Sequence, residues 1–333
     1  MKNEENPIFI TGLYRSGTTY LSRILDAHPQ LDISYDSINY FRWCIKRTTN
    51  PNDYRAIVDE VAKRIFDRYK RKIDSKQIVT SLESLNCQIG HAEIYSEIMK
   101  NYFSYSGNRW GEKTLMEWSN IPTFLSLYPS GRAIHIIRDP RDVLSSYKKM
   151  TIETGDKYLD SVFASMHSLD SAVKYINTLP KDKYYLIKYE SLIANPLKEV
   201  EKLCDFVGVN FDSSMLDSEN YKGNFGEKFT KDTHSSYIDG VNNKLMERWK
   251  DQLDGFEIEF IEGFLSIQMI EFGYELSNDK NILNRFVDTI KNEPILLSRF
   301  NNYLSTNSGI EAYPSDPTLK DNWGDSGILG KGA

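Results

Sequence analysis

Pro7-Ile8-Phe9-Ile10-Thr11-Gly12-Leu13-Tyr14-Arg15-Ser16-Gly17-Thr18-Thr19-Tyr20-Leu21 is the stretch on which the fold turns. The apolar run Pro7 to Thr11 is too short for a helix and stops at a glycine, which marks a buried parallel strand. Gly12 to Gly17 form a loop. From about Thr18 to Ala27 the residues Tyr20, Leu21, Ile24 and Leu25 fall on one helical face. His28-Pro29 closes that helix, because proline disfavours helix in the residue before it. A glycine-bounded loop between a strand and a helix lets backbone N–H groups and the helix N-terminus surround a phosphate, with Ser16, Thr18 and Thr19 adding hydroxyl donors.

The spacing from Gly12 to Gly17 matches the nucleoside-triphosphate loop GxxxxGK[ST], but Thr18 stands where that loop needs lysine. The cation here is Arg15. An ATPase or kinase would lose its main contact to the transferred phosphate, so the loop points to a different phosphate ligand or to a plain glycine turn.

Outward from the loop, strands and helices alternate. Strands are expected at about Leu31–Tyr35, Arg109–Lys113, Ala133–Ile137 and Tyr184–Tyr189. Helices are expected at about Asn39–Lys46, Tyr158–Leu179, Asn242–Gln252 and Glu257–Phe272. This alternation predicts an α/β fold, a central parallel sheet with helices on both faces. Residues 50–105 read differently: Ile57, Val61 and Ile65 recur every four residues and a second helix covers about His91–Phe103. We read a helical insertion there, inside a single domain spanning 1–305. Residues 306–333, rich in Gly, Pro, Asp, Ser and Asn, read as an extended or disordered tail.

A second anion site follows the 133–137 strand in Arg138-Asp139-Pro140-Arg141-Asp142-Val143-Leu144-Ser145-Ser146. Arg138 stands at the carboxyl end of a parallel strand, where open α/β sheets bind ligands. Pro140 starts a helix and Ser146 lies two turns along it. Arg138 and Ser146 together can hold a phosphate, with arginine supplying a forked donor; a helix cap with a salt-bridge cluster is the other reading. Two anion sites at two strand ends suggest a nucleotide with two separate phosphates.

The 333 residues carry 40% hydrophobic and 26% charged side chains and a net charge of −6, which argues against a nucleic-acid partner but not against a local basic pocket. Cys44, Cys87 and Cys204 are far apart and odd in number, so neither a disulfide framework nor a zinc site is expected. No pair among His28, His91, His135, His167 and His234 has metal-ligand spacing, and no metal is expected; His135, in an apolar strand, reads as a satisfied core residue. The first residues lack a signal-peptide pattern and no apolar run approaches membrane-span length, so a cytoplasmic protein without an integral membrane segment is expected. Oligomeric state is not legible.

At this point the sequence resembles the sulfotransferase superfamily. Gly12–Thr19 looks like the family's 5′-phosphosulfate loop GxxRSGTT, and Arg138 to Ser146 like its 3′-phosphate motif. Lys188-Tyr189-Glu190-Ser191-Leu192 and Arg248-Trp249 resemble further family segments, in the right order over about residues 6–275. Arg15-Ser16-Gly17-Thr18-Thr19 followed by Leu25-Asp26-Ala27-His28-Pro29 is most similar to the bacterial and tyrosylprotein-type branch. The resemblance implies a P-loop-like nucleotide-binding fold. It also implies transfer of a sulfuryl group from 3′-phosphoadenosine 5′-phosphosulfate (PAPS) to a hydroxyl of a sugar, lipid or other small or medium-sized acceptor.

On that resemblance, Arg15, Ser16, Gly17, Thr18 and Thr19 bind the 5′-phosphosulfate and Arg138 and Ser146 the 3′-phosphate, with Tyr189 and Arg248 as further cofactor contacts. Lys113, in Glu112-Lys113-Thr114, is placed near the bridging oxygen. No histidine follows that Lys-Thr pair, so the histidine base of the phenol-type branch is missing. By register the base falls on Asp36, where the tyrosylprotein-like branch has glutamate, one methylene longer. Asp36 also reads as the N-cap of the following helix, and Glu112 is the rival base. A P-loop small-molecule kinase and a non-catalytic nucleotide-binding protein remain as alternatives. The walls of the acceptor pocket are expected from the 50–105 insertion and the 220–239 loop.

Overall fold

The computed structural model describes residues 5–45, 51–149, 155–225, 227, 246–277, 291–292 and 294–306. Five strands form one parallel sheet: β1 (Ile8–Gly12), β2 (Leu31–Tyr35), β3 (Arg109–Leu115), β4 (Arg132–Ile137) and β5 (Tyr184–Lys188), in the order β2-β3-β1-β4-β5. The α-helices that lie within the described residues include α1 (Thr18–Asp26), α2 (Tyr54–Tyr69), α3 (Ser75–Glu83), α4 (His91–Tyr102), α5 (Ile121–Leu127), α6 (Pro140–Lys148), α7 (Ser161–Thr178), α8 (Tyr189–Ala194), α9 (Pro196–Val207), α10 (Trp249–Gln252), α11 (Gly255–Glu271) and α12 (Pro294–Thr306). The expected α/β architecture is the one observed.

Alternation along β1 shows why the sheet is covered on both sides. Ile8 and Ile10 pack with Leu21, Ile24 and Leu25 of α1 and with Val200 and Leu203 of α9. Phe9, between them, points the other way and joins Phe41, Tyr95 and Phe124. Each of these side chains is almost fully enclosed, worth about 1.5–3 kcal/mol apiece in surface removed from water. The insertion helices bury Ile57, Val61, Ile65, Ile78, Leu82 and Ile98 on the Phe9 side. A further cluster around Phe163, Trp249, Phe260 and Leu265 joins α7 to α11.

β1 lies between β3 and β4. The chain leaving β1 goes to β2 on one side, and the crossing from β3 to β4 carries it to the other. The crevice at the carboxyl end of β1 is therefore the topological switch point, where such sheets take ligands. β2 is an edge strand, and side chains occupy its outer edge. Asp26 Oδ1 accepts from the Ile33 amide at 2.7 Å, and Asn224 pairs with the Tyr35 N–H and C=O at 2.9 and 3.0 Å. Filled in this way, the edge offers fewer groups to another strand.

Local differences from the sequence reading have local causes. The helix expected at Asn39–Lys46 is a π-helical turn, Phe41–Ile45, because the Ile38 and Asn39 amides bond to the Glu112 carboxylate and Asn39 sits at φ 50°. The Tyr158–Leu179 helix begins at Ser161, after a 3₁₀ segment Gly155–Asp160. Of the helix expected at Asn242–Gln252, Trp249–Gln252 is helical and residues 242–245 lie outside the described residues. His234, residues 307–333 and most of the 220–239 loop also lie outside them.

The candidate active site

All five strands end at one edge of the sheet, and a candidate residue stands at or beside each end. Arg15 follows β1, Asp36 follows β2, Lys113 lies two residues before the end of β3, Arg138 follows β4 and Tyr189 follows β5. Residues separated by up to 174 positions thus meet because parallel strands share one polarity.

The loop after β1 is shaped by left-handed backbone. Arg15 has φ 65° and Gly17 φ 91°. Successive amides in such a conformation converge into an anion-binding concavity. Ser16 is fully buried and its hydroxyl bonds back to the Leu13 carbonyl, closing the turn. Gly17 is the N-cap of α1 and supplies no capping side chain. The first α-helical bond of α1 runs from the Leu21 amide to the Gly17 carbonyl, so the amides of Thr18 and Thr19 are those a helix start leaves to a ligand. Gly17 also has a packing reason to be glycine: a Cβ there would lie 2.4 Å from Cδ2 of Tyr189.

Arg15 joins the two expected anion sites. Its Nε donates to Ser146 Oγ at 2.8 Å, and its carbonyl accepts from Nη1 of Arg138 at 2.9 Å. Arg138 and Ser146, expected to share one phosphate, are both placed on Arg15, the side chain taking Ser146 and the backbone carbonyl Arg138. Arg138 is buried, its guanidinium 4.4 Å above the Tyr189 ring, with Asp142 at 3.7 Å. Burial raises the Asp142 carboxyl's pKa, against the pull of Arg138. Asp142 also accepts the amides of Glu247 and Trp249 at 2.9 and 3.1 Å, which brings half-buried Arg248 beside α6.

Arg138 and Arg141 have different jobs. Arg141 is locked bidentately onto Asp139, the N-cap of α6, pairs with buried Glu262 at 2.8 Å and stacks on Trp249. It is a structural anchor. Glu190 was not singled out from the sequence as a functional residue, yet its carboxylate accepts the Asp139 amide at 2.8 Å and the Tyr274 hydroxyl at 3.2 Å. It thereby sets the turn that presents Arg138. Its place directly after Tyr189, in the Lys188–Leu192 segment, was the available signal.

On the β2 side, Lys113 and Asp36 form a buried ion pair, Nζ to Oδ2, with Lys113 1% and Asp36 8% exposed at the side chain. Asp36 Oδ1 also faces the Leu115 amide at 3.3 Å, and the Asp36 amide donates to the Lys113 carbonyl at 2.8 Å. Burial lowers the Lys113 pKa, and Asp36 is the first group opposing it. The Tyr35 ring carries the Arg23 guanidinium at 3.9 Å and Lys113 Nζ at 5.4 Å. Asp36 is not a helix N-cap: its carboxylate is committed to Lys113 and β3, and its residue sits at φ 49°. Glu112, adjacent to Lys113, points to the opposite face of the sheet. It is fully buried and accepts the Ile38 and Asn39 amides and the Tyr95 hydroxyl.

His135 is a satisfied core residue, as its strand context implies. Its ring nitrogens contact Tyr184 and Ser168 at 3.0 Å each, and burial takes its pKa down to about 3. The three cysteines are free. Among the described residues no helix is long and apolar enough to cross a membrane. A cavity of about 460 Å³ lies outside the β2 edge, walled by Asp26, Arg71, Tyr102, Lys222, Asn224 and Phe225 among others. These wall residues include contributions from the insertion and from the segment after α9.

A Caenorhabditis briggsae protein provisionally named a protein-tyrosine sulfotransferase is 24% identical over 301 residues, which are 86% of this chain and 96% of that protein. Mouse carbohydrate sulfotransferase 1 is 25% identical over 171 residues, 46% of this chain and 41% of its own length. Among solved structures, the sulfotransferase domain from the curacin biosynthetic pathway superposes with a TM-score of 0.58 at 18% identity, covering 83% of this chain and all of that one. The model of the Sulfotransferase family matches residues 7–213, from the first residues of β1 through β5, α8 and α9, so this chain belongs to the sulfotransferase family.

Proposed function

We propose that this sulfotransferase takes its sulfuryl group from PAPS and delivers it to a hydroxyl of a small or medium-sized acceptor. The observation that carries the reading is the buried Lys113–Asp36 pair, set at the same sheet edge as an uncapped helix start and Arg138. PAPS has a phosphate at each end of its ribose and supplies an activated sulfuryl group. The loop amides, Ser16, Thr18 and Thr19 fit the 5′ end, with Gly17 keeping the backbone clear. Arg138 and Ser146, both held on Arg15, fit the 3′ end, and Tyr189 and Arg248 flank it.

The charge that develops in sulfuryl transfer collects on the leaving bridging oxygen, and preorganised cations offset it best where water is excluded. Lys113 and Arg15 supply those cations. Asp36 takes the proton of the incoming hydroxyl. The two groups support each other: Lys113 orients the Asp36 carboxylate, and Asp36 opposes the burial that disfavours a charged lysine. The acceptor hydroxyl belongs to a sugar, a lipid or another alcohol. The names of the relatives direct screening to a sugar hydroxyl and to a tyrosine phenol, which differ in how much work Asp36 must do, since the phenol is the stronger acid.

Calorimetric titration with 3′,5′-diphosphoadenosine (PAP), ADP and ATP tests the donor assignment. The expected result is tight binding of the 3′,5′-diphosphate, weakened about 10- to 100-fold by Arg138→Ala through loss of charged hydrogen bonds. ADP, lacking the 3′-phosphate, should lose far less. A Mg²⁺-dependent preference for ATP would overturn the reading and return the chain to a kinase.

A further inference from the structure

The loop that carries Asp36 is gripped from both faces of β3. Lys113 holds the Asp36 side chain on one face, while Glu112, the preceding residue, reaches the other. Glu112 Oε1 accepts the Ile38 amide at 3.0 Å and the Asn39 amide at 2.7 Å, and Oε2 accepts the Tyr95 hydroxyl of α4. Between these anchors Asp36 and Asn39 both adopt left-handed backbone, φ 49° and 50°. Outside glycine that conformation persists only where surrounding contacts over-determine it. The insertion adds to the grip: Arg68 and Tyr69 of α2 donate to the Asp36 carbonyl at 2.9 and 3.2 Å, and Tyr102 of α4 donates to Ser37 Oγ at 3.0 Å.

We propose that Glu112 is the positioning residue of the catalytic loop, its ionised carboxylate fixing the backbone of Ile38 and Asn39 so that Asp36 is held against Lys113. This rests on the assignment of Asp36 as the base. Three donors converge on the two Glu112 oxygens, an arrangement that a carboxylate satisfies fully and a protonated acid does not. No proton is transferred to substrate by Glu112; it acts through the loop.

The charge state of this group then governs turnover. The groups facing Glu112 are Tyr95 and Tyr102 of α4, with Tyr40 stacked on Tyr95, Cys44 in the π-helical turn, and Asp36 in the loop. Burial pushes the Glu112 carboxyl up to about 7, against the hydrogen bonds from Tyr95, Asn39 and Ile38; the Asp36 charge adds to the rise. A group with a raised folded pKa favours the folded state fully below its unfolded value, near 4.5, and loses that contribution as pH rises through about 7. Turnover should move the opposite way, rising through the same window as the carboxylate forms.

Glu112→Gln copies the protonated acid and cannot ionise. It should lower kcat about tenfold at pH 8, the difference between a charge-assisted and a neutral hydrogen bond, and leave the KM for PAPS unchanged. It should erase the rise in kcat between pH 6 and 8, match the parent at pH 6, and melt no lower than the parent at pH 8. Tyr95→Phe, which keeps the carboxylate but removes one donor, should keep a pH-dependent kcat with the rise moved upward. Parent-like kcat and pH profile in Glu112→Gln would overturn the proposal. So would a loss of kcat that tracks a loss of melting temperature and of PAP affinity, since that marks a structural role alone. Asp36→Asn run alongside separates the failures: an inactive Asp36 variant with an unaffected Glu112 variant removes only this inference, whereas a fully active Asp36 variant removes the base assignment beneath it.

Discussion

Asp36→Asn should bind PAP as the parent does and turn over about a thousandfold more slowly, in the middle of the range for losing a general base. Two effects compound. The acceptor of the hydroxyl proton is gone, and Lys113 loses its counter-charge. Lys113 is buried and desolvation already pulls its pKa down, with Asp36 the first group opposing that pull. Next to asparagine the lysine drifts towards neutrality, and the residual rate should fall further as pH rises. Breaking one side of a buried ion pair also costs about 3–5 kcal/mol of stability. The double variant Asp36→Asn with Lys113→Met leaves no uncompensated charge, so it should recover most of that stability and remain inactive. Single-turnover rates, PAP titrations and thermal melts on the three proteins check each part. A parent-like rate in Asp36→Asn would remove Asp36 from the mechanism.

Gly17→Ala should abolish measurable donor binding and lower stability by about 2–4 kcal/mol, from backbone strain and steric overlap together. At φ 91° an alanine is strained before it touches anything. Its Cβ would then lie 2.4 Å from Cδ2 and 2.8 Å from Cε2 of Tyr189, a ring with no exposed surface. Tyr189 cannot yield cheaply, because the Arg138 guanidinium rests on its face. The substitution therefore disturbs the concavity for one phosphate and the arginine for the other. In melts with and without PAP, the parent should gain stability from the ligand and the variant should not. Adding Tyr189→Leu should return part of the stability but not the binding, since the stacking surface under Arg138 is lost. Undiminished PAP affinity in Gly17→Ala would show that this loop does not embrace the donor.

The sheet was legible because parallel strands buried on both faces read as short apolar runs, and Ile8–Gly12, Arg132–Ile137 and Tyr184–Lys188 are such runs. The loop of Gly12 to Gly17 was legible because its glycines carry a steric requirement that spacing alone records. What the chain order hid was pairing at a distance. Nothing near Asp36 announces that Lys113 will face it, or that Glu112 will take the amides of Ile38 and Asn39. The helix expected at Asn39–Lys46 misread this region, because side-chain capture of two amides outcompeted helical bonding. Arg138 and Ser146 could be placed on one ligand, the first from its place at the end of β4 and the second from its place two turns along α6, but their shared dependence on Arg15 needed the fold. Glu190 was passed over because its partners, Asp139 and Tyr274, lie 51 and 84 residues away.

The helices of the insertion do more than border a cavity. Through Arg68, Tyr69, Tyr95 and Tyr102 they buttress the loop that carries Asp36. For protein engineering this means the 51–102 segment is no exchangeable cassette. A graft from a relative with a wanted acceptor preference would import a new wall and at the same time discard the scaffolding of the base. Recombination is safer at single wall residues such as Arg71 or Phe225, with those four side chains carried through unchanged.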